Sequence, residues 1–264
     1  MVSIIDDTSR IVSLSGAITE ILYELDLGDA VVAVDVTTVF PVPATKLPIV
    51  GVGRFLTAEA VLEQRPTLVI GDTQTSPSEA ISQIRGAGVP VLITEVATSF
   101  DGLYRSIELI GDAVRAGDKA ESLIDRMRTD IEAAIDGVEV SDPPSIAFVY
   151  SRGPDVILLF GAEMTTHPLI EAVGGVDAGA ASGIVGTVDF TPEALVAAQP
   201  DVIIITSEGL NLLGGVDGLL ATPGFAATPA GQQRRILDYP EGDILTLGPR
   251  IAEVLELLVA DLYG

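Results

Sequence analysis

Residues 57–70 read TAEAVLEQRPTLVI, and residues 191–204 read TPEALVAAQPDVII. Each copy places Thr at a helix start (Thr57, Thr191), an acidic residue two positions later (Glu59, Glu193), a proline seven positions after that (Pro66, Pro200), and then an apolar run. Thr is a good N-cap because its hydroxyl accepts an orphan N–H of the first turn. A carboxylate in that turn faces the positive end of the helix dipole. Plain capping accounts for either glutamate alone. Two copies in matching positions imply two similar α/β lobes, each presenting one carboxylate at an equivalent edge.

Outward from this pair, the pattern is strand and helix in alternation. RIVSLS (10–15) reads as a buried strand that breaks at Gly16 and enters a helix over 18–27, followed by the strand VVAVD (31–35). A loop with three prolines leads to Val50-Gly51-Val52-Gly53-Arg54 and the first repeated helix. TLVIGD (67–72) and VPVLITE (89–95) are continuous apolar runs of the kind buried in parallel sheets, with helices over 77–85 and 101–115. Such alternation means βαβ units. Residues 118–137 then break it: Leu123, Ile124, Met127, Ile131 and Ile135 form one helical stripe, and a helix of that length spans about 30 Å. It reads as a strut. VSDPPS (140–145) marks a boundary, after which SIAFVYS and VILLFG form a hairpin around Arg152-Gly153-Pro154-Asp155. A helix over 164–173, the second repeated helix, the strand DVIIIT (201–206), a turn-rich stretch to Gln233, a strand DILTLG (243–248) and a final helix from Pro249 complete the chain. The expected fold class is therefore α/β, two lobes each with a central mainly parallel sheet flanked by helices, joined by one long helix. The divisions are 1–116, a connecting helix over 117–139, and 140–264.

Composition narrows the function. A formal charge of −24 over 264 residues repels phosphate backbones and anionic lipid, so nucleic acid is not an expected partner. The acidity is spread along the chain, as a solvated shell or as an adaptation to high salt. There is no cysteine, hence no disulfide and no thiolate metal site. No apolar run reaches about 18 residues, and no signal peptide precedes Arg10, so the expectation is a soluble chain or the soluble part of a longer precursor. P-loop, Gly-x-Gly-x-x-Gly, HExxH and Gly-x-Ser-x-Gly signatures are all missing. With one histidine there is little material for acid–base chemistry. An enzyme on a related α/β scaffold stays as the alternative from another class, separable by turnover.

The segments RIVSLSGAITEILYELDLGDAVVAVD, GVGRFLTAEAVLEQRPTLVI, LIEAVGGVDA, TPEALVAAQPDVIIITSEGL, TPGFAATPAGQQRRI and LGPR together resemble the helical-backbone substrate-binding proteins of ABC importers, which serve cobalamin, siderophore and haem uptake. Residues 51–59, 222–235 and 248–250 are most similar to the haemin-binding branch. The resemblance implies an extracytoplasmic protein, in the periplasm or anchored at the cell surface through a precursor segment that is not in this chain. It also implies a monomer that carries haem, with cobalamin or a ferric siderophore as the alternative cargo, and no catalytic cofactor. Its partners would be a membrane permease and the attached ATPase. In the family one glutamate per lobe docks onto permease arginines, and Glu59 and Glu193 stand at those positions.

One departure concerns the iron. The haemin branch often has a tyrosine ligand where this chain has Val52, and valine cannot ligate. The segment Val52-Gly53-Arg54 still stands at the expected ligand-binding place. His167, in TTHPL at a helix start, is the only histidine; it is a capping or surface residue, or it is the donor to haem iron. Tyr150, Tyr239 and Tyr23 are the other donors, each equally explained by core packing. Arg54, Arg152 and Arg250 are cations for propionates or for ordinary ion pairs. The ligand is expected in the inter-lobe cleft, at the loops after Leu14, Asp35, Val50, Tyr150, Gly161, Ile184 and Thr206.

Overall fold

The computed structural model describes residues 4–51, 56–138 and 140–264. The chain divides into two compact units, Met1–Asp130 with Thr246–Ile251, and Ile131–Leu245 with Ala252–Gly264. Each is built on its own sheet.

In the first unit, β1 (Ile11–Ser13), β2 (Val31–Val34), β3 (Leu68–Asp72) and β4 (Val91–Thr94) form a sheet in the order β2-β1-β3-β4. All three pairings are parallel. Parallel neighbours need crossovers, and α1 (Gly16–Glu24), α2 (Ala58–Glu63), α3 (Ser78–Gly86) and α4 (Phe100–Ala113) lie in the intervening segments and after β4. β1 and β3 are buried on both faces, as their unbroken apolar sequence requires. Val12, Val61, Val69 and Ile84 meet in one core cluster.

α5 (Gly117–Ala134) turns a stripe of Ala120, Leu123, Ile124, Met127 and Ile131 inward. The passage from the first unit to the second falls within this helix.

In the second unit the order is β10-β9-β5-β6-β8, with β7 (Val176–Asp177) beside β5. β5 (Ser145–Ser151) pairs in parallel with β9 (Val202–Thr206), which pairs in parallel with β10 (Ile236–Tyr239). β6 (Ile157–Phe160) runs against β5 and against β8 (Thr187–Asp189). The hairpin closes where Arg152 N donates to Val156 O at 2.9 Å. α6 (His167–Ala172), α7 (Ala178–Ala181) and α8 (Pro192–Ala198) precede β9, and the chain ends in α13 (Ile251–Tyr263). Leu195, Phe225, Ile203 and Val149 share the core, with the Phe190 ring stacked on Phe225 at 4.8 Å. Both sheets are thus mainly parallel, with helices between the strands.

Two expectations fail. The stretch between Thr206 and Gln233 holds three short helices, α9 (Ser207–Leu212), α10 (Gly215–Ala221) and α11 (Pro229–Gln233). Each is too short to display a 3.6-residue period, and α9 and α11 are fixed by caps: Thr206 Oγ1 accepts from Gly209 N at 3.2 Å and Thr228 Oγ1 from Gly231 N at 3.0 Å. The run DILTLG is not a strand either. ILDY takes the place beside β9 as β10, and the following Pro240 leads into the short helix α12 (Glu241–Ile244). Ile244 and Leu247 are buried without any strand ladder, so their hydrophobicity reports burial and not extension.

The duplicated segment folds the same way twice. Thr57 Oγ1 accepts from Ala60 N at 3.3 Å and Thr191 Oγ1 from Ala194 N at 3.2 Å. Before each proline the backbone turns left-handed, at Arg65 (φ 49°) and Gln199 (φ 45°), which stops both helices at the same point.

Glycine at 161 is a packing requirement. A β-carbon there would lie 2.3 Å from the Ile184 carbonyl oxygen, whereas at Gly86, at the end of α3, it would meet nothing within 4 Å. Gly161→Ala should therefore destabilise the protein by about 1–3 kcal/mol, and Gly86→Ala should stabilise it by roughly 0.5–1 kcal/mol through a less flexible unfolded chain. Thermal or denaturant melts of the two variants, moving in opposite directions, check this.

Candidate functional site

Parallel strands collect their carboxyl ends at one edge, and helices begin there. In the first unit Gly51 lies just beyond β2, its carbonyl accepting from Val36 N at 3.2 Å. α2 and its exposed Glu59 start shortly afterwards. In the second unit Phe190 N donates to Ile157 O at 2.9 Å, and Ile157 is paired with Ser151 at the carboxyl end of β5. The exposed Glu193 follows three residues later, in the first turn of α8. Each glutamate thus occupies the carboxyl edge of its own sheet.

Tyr150 and Arg152 stand at that edge of the second unit, and the fold brings them together. The Tyr150 ring stacks against Phe160, with centroids 6.0 Å apart. The Arg152 guanidinium carbon sits 5.1 Å from the centroid of the same tyrosine ring. Arg152 also pairs with Glu241 at 2.6 Å, and the Glu241 backbone N–H donates to Glu208 Oε2 at 2.9 Å. Burial pushes the Tyr150 phenol up, the Glu241 charge pushes it further, and Arg152 opposes both. Glu241 was not among the residues nominated above. It lies in DYPEGD, directly before the run misread as a strand, and acidic type alone singled it out from none of its neighbours.

His167 is elsewhere. Its Nδ1 is 2.9 Å from Asp177 Oδ2 and its Nε2 is 3.5 Å from Glu171 Oε1. Asp177 is buried and also accepts from Ala180 N at 3.0 Å, capping α7. In register Asp177 lies opposite Ile146, four residues before Tyr150 on β5, a separation of about 13 Å along the strand. The cause is the hairpin: β6 runs back, so the segment after Gly161 leaves from the edge opposite to Ser151.

In the first unit, Arg250 is committed to Glu20 at 3.1 Å, with side-chain exposures of 20% and 4%. Its guanidinium carbon sits 4.1 Å from the Phe40 ring centroid. This pair ties the returning segment to α1. Val52, Gly53 and Arg54 lie outside the described residues. Of the remaining tyrosines, Tyr239 donates to Asp261 Oδ2 at 2.7 Å and its phenol is pushed far above its ordinary range, chiefly by burial. Tyr23 packs over Gly28, and burial raises its phenol too.

Two aspartates at the carboxyl edge of the first sheet, Asp35 and Asp72, were not nominated as site residues, although the loop after Asp35 was. Asp35 follows β2 and accepts from Thr37 Oγ1 at 2.7 Å; Asp72 ends β3 and accepts from Gln74 N at 3.0 Å. Burial raises both carboxyls, and the Asp72 charge raises Asp35 further. Among the described residues no group of three or more His, Cys, Asp or Glu is arranged to hold a metal ion, and no helix is long and apolar enough to cross a membrane.

Comparison with known proteins agrees on one family. Residues 11–242 match the family described as Periplasmic binding protein. Among solved structures, the periplasmic heme-binding protein RhuT of Roseiflexus sp. RS-1 in its apo form superposes with a TM-score of 0.93 at 42% identity, covering 97% of this chain and 98% of that one. YvrC of Bacillus subtilis (strain 168), an uncharacterized ABC transporter substrate-binding lipoprotein, is 30% identical across 99% of this chain and 82% of its own length. A cobalamin-binding protein of Halobacterium salinarum (strain ATCC 29341 / DSM 671 / R1) is 25% identical, over 94% of this chain and 67% of that protein.

The raised aspartates carry a stability consequence of definite sign. Below the ordinary value of 3.8, folded and unfolded chains both hold the proton. Above it the unfolded chain releases first, so stability falls as pH rises toward the folded value and stays lower at neutral pH. Asp35→Asn, which keeps the accepting Oδ1, should raise the melting temperature at pH 7, and the gain should disappear below about pH 3.8. Melts across pH 3 to 7 check the direction.

Proposed function

The chain belongs to the periplasmic binding protein family, and from that premise we propose that it is the extracytoplasmic capture component of an ABC importer whose cargo is haem. The likeness to RhuT, 42% identical over nearly the whole of both chains, is the observation that carries the haem reading. In the second unit the ligand is met from the edge of Tyr150 and Arg152, an aromatic face and a cation of the kind that suits a flat apolar ring with carboxylate substituents. In the first unit, the resemblance assigns the contacts to Val52, Gly53 and Arg54. Arg250 acts through its bond to Glu20, holding the returning segment. His167, bound to Asp177 and distant from Tyr150 along β5, fastens α6 to α7, and the iron is approached from the Tyr150 edge.

Cobalamin is the second reading, favoured by the Halobacterium salinarum relative. Absorption titrations with hemin and with cobalamin separate the two. Saturable hemin binding at a fixed stoichiometry, with no product formed, supports haem; tight cobalamin binding with no hemin spectrum replaces it. Within the haem reading, Tyr150→Phe should change the spectrum of the hemin complex and His167→Ala should leave it nearly as it was. The reverse pattern would return the iron to His167 Nε2.

Glu59 and Glu193 are the proposed contacts with the permease, supported by their matched, exposed positions at two carboxyl edges. Replacing both with Ala should abolish uptake in a reconstituted importer while hemin affinity stays within about twofold, since neither carboxylate belongs to the ligand contacts. Full uptake by the double variant would remove the docking role.

A further inference from the structure

Each unit holds an arginine between an aromatic ring and a glutamate. Arg250 lies over Phe40 and pairs with Glu20; Arg152 lies over Tyr150 and pairs with Glu241. The two differ in one decisive respect. The first pair is buried, with its glutamate side chain 4% exposed, while Arg152 and Glu241 are 50% and 28% exposed. Breaking a buried pair strands a charge away from solvent and is strongly unfavourable. An exposed pair gains little over its hydrated parts, so another carboxylate can take its place. Arg152 is therefore the exchangeable cation, and Glu241 occupies the place that an incoming carboxylate would take.

We propose that Glu241 is a specificity-determining residue, an internal competitor on Arg152 that a carboxylate-bearing tetrapyrrole displaces and that small anions do not. This rests on the haem reading and on Tyr150 and Arg152 meeting the ligand. The physical reason is the balance of the exchange. A carboxylate that replaces Glu241 gains one charge-assisted pair and loses another, so the swap by itself is nearly neutral. It also leaves the displaced Glu241 near the newcomer, and like charges repel. A small carboxylate brings nothing to offset that repulsion. A porphyrin carboxylate brings its ring, whose apolar surface is buried in the same event. Glu241 does not drift away when displaced, because its backbone N–H is held by Glu208 Oε2. A ligand whose side chains end in amides, such as cobalamin, has no carboxylate to exchange and meets the Arg152–Glu241 pair intact.

The test is a double-mutant cycle. Wild type, Glu241→Gln, Arg152→Gln and the double variant are titrated with hemin and with cyanocobalamin, after melts establish that each is folded. Glu241→Gln should raise the ratio of hemin to cobalamin affinity by roughly three- to tenfold, Arg152→Gln should lower it, and the gain should vanish when Arg152 is absent. Glu241→Ala serves the same purpose if the glutamine variant does not fold. An unchanged or lower ratio in a folded Glu241 variant, or a gain that persists without Arg152, overturns the proposal while leaving the haem reading in place. Absence of hemin binding in wild type and all variants, with cobalamin bound, removes the haem reading and this proposal with it.

Discussion

The parallel pairing of β1 with β3 and of β5 with β9 is the constraint on which the rest of the molecule depends. Parallel strands cannot be joined by a tight turn; each must be left at one edge and re-entered at the other through a crossover. The carboxyl ends therefore gather on one side of each sheet, where backbone ends, helix starts and polar side chains accumulate. Asp35, Asp72 and Glu59 stand at this edge in the first unit, and Tyr150, Arg152 and Glu193 in the second. Among the described residues the strand that breaks the rule is β6, which carries the following segment to the other edge and takes His167 with it.

Charge at these edges is arranged under the pressure of a strongly acidic chain. With a net charge of −24, each arginine near a site is open to capture by a carboxylate, and the two nominated arginines among the described residues, Arg152 and Arg250, have been captured. The outcome depends on solvent. Glu20 and Arg250 are enclosed and act as a fixed tie between α1 and the returning segment. Arg152 and Glu241 remain half in water, and there pairing is an equilibrium. The aspartates at the first edge show the opposite effect: burial dominates, and their carboxyls are raised. Such groups reduce stability at neutral pH.

The short chemistry of the chain was legible in its sequence wherever cause and effect lie close together. Thr57 and Thr191 cap the helices they begin, Pro66 and Pro200 follow the residues that end them, and the apolar runs after them are buried strands. The stripe on α5 and the hairpin at Arg152-Gly153 were visible for the same reason. Periodicity was silent for α9, α10 and α11, since five to seven residues do not complete two helical turns. It was misleading at DILTLG, where apolar residues are buried in a short helix and loop while the place beside β9 belongs to Ile236–Tyr239.

Sequence by itself thus determined the α/β class, the duplicated build and the equivalence of Glu59 and Glu193, because capping, strand burial and helix termination act within a few residues of one another. Tertiary structure alone decided which charges meet. Arg152 reaches Glu241 across 89 positions and Arg250 reaches Glu20 across 230, and nothing in the local pattern of either glutamate distinguishes it from the other acidic residues. Tertiary structure also decided that His167 answers to Asp177, because the direction of β6 sets the edge from which its helix departs. Partner choice between distant charges depends on proximity and on exclusion of water, and both arise only when the strands are paired and the helices packed.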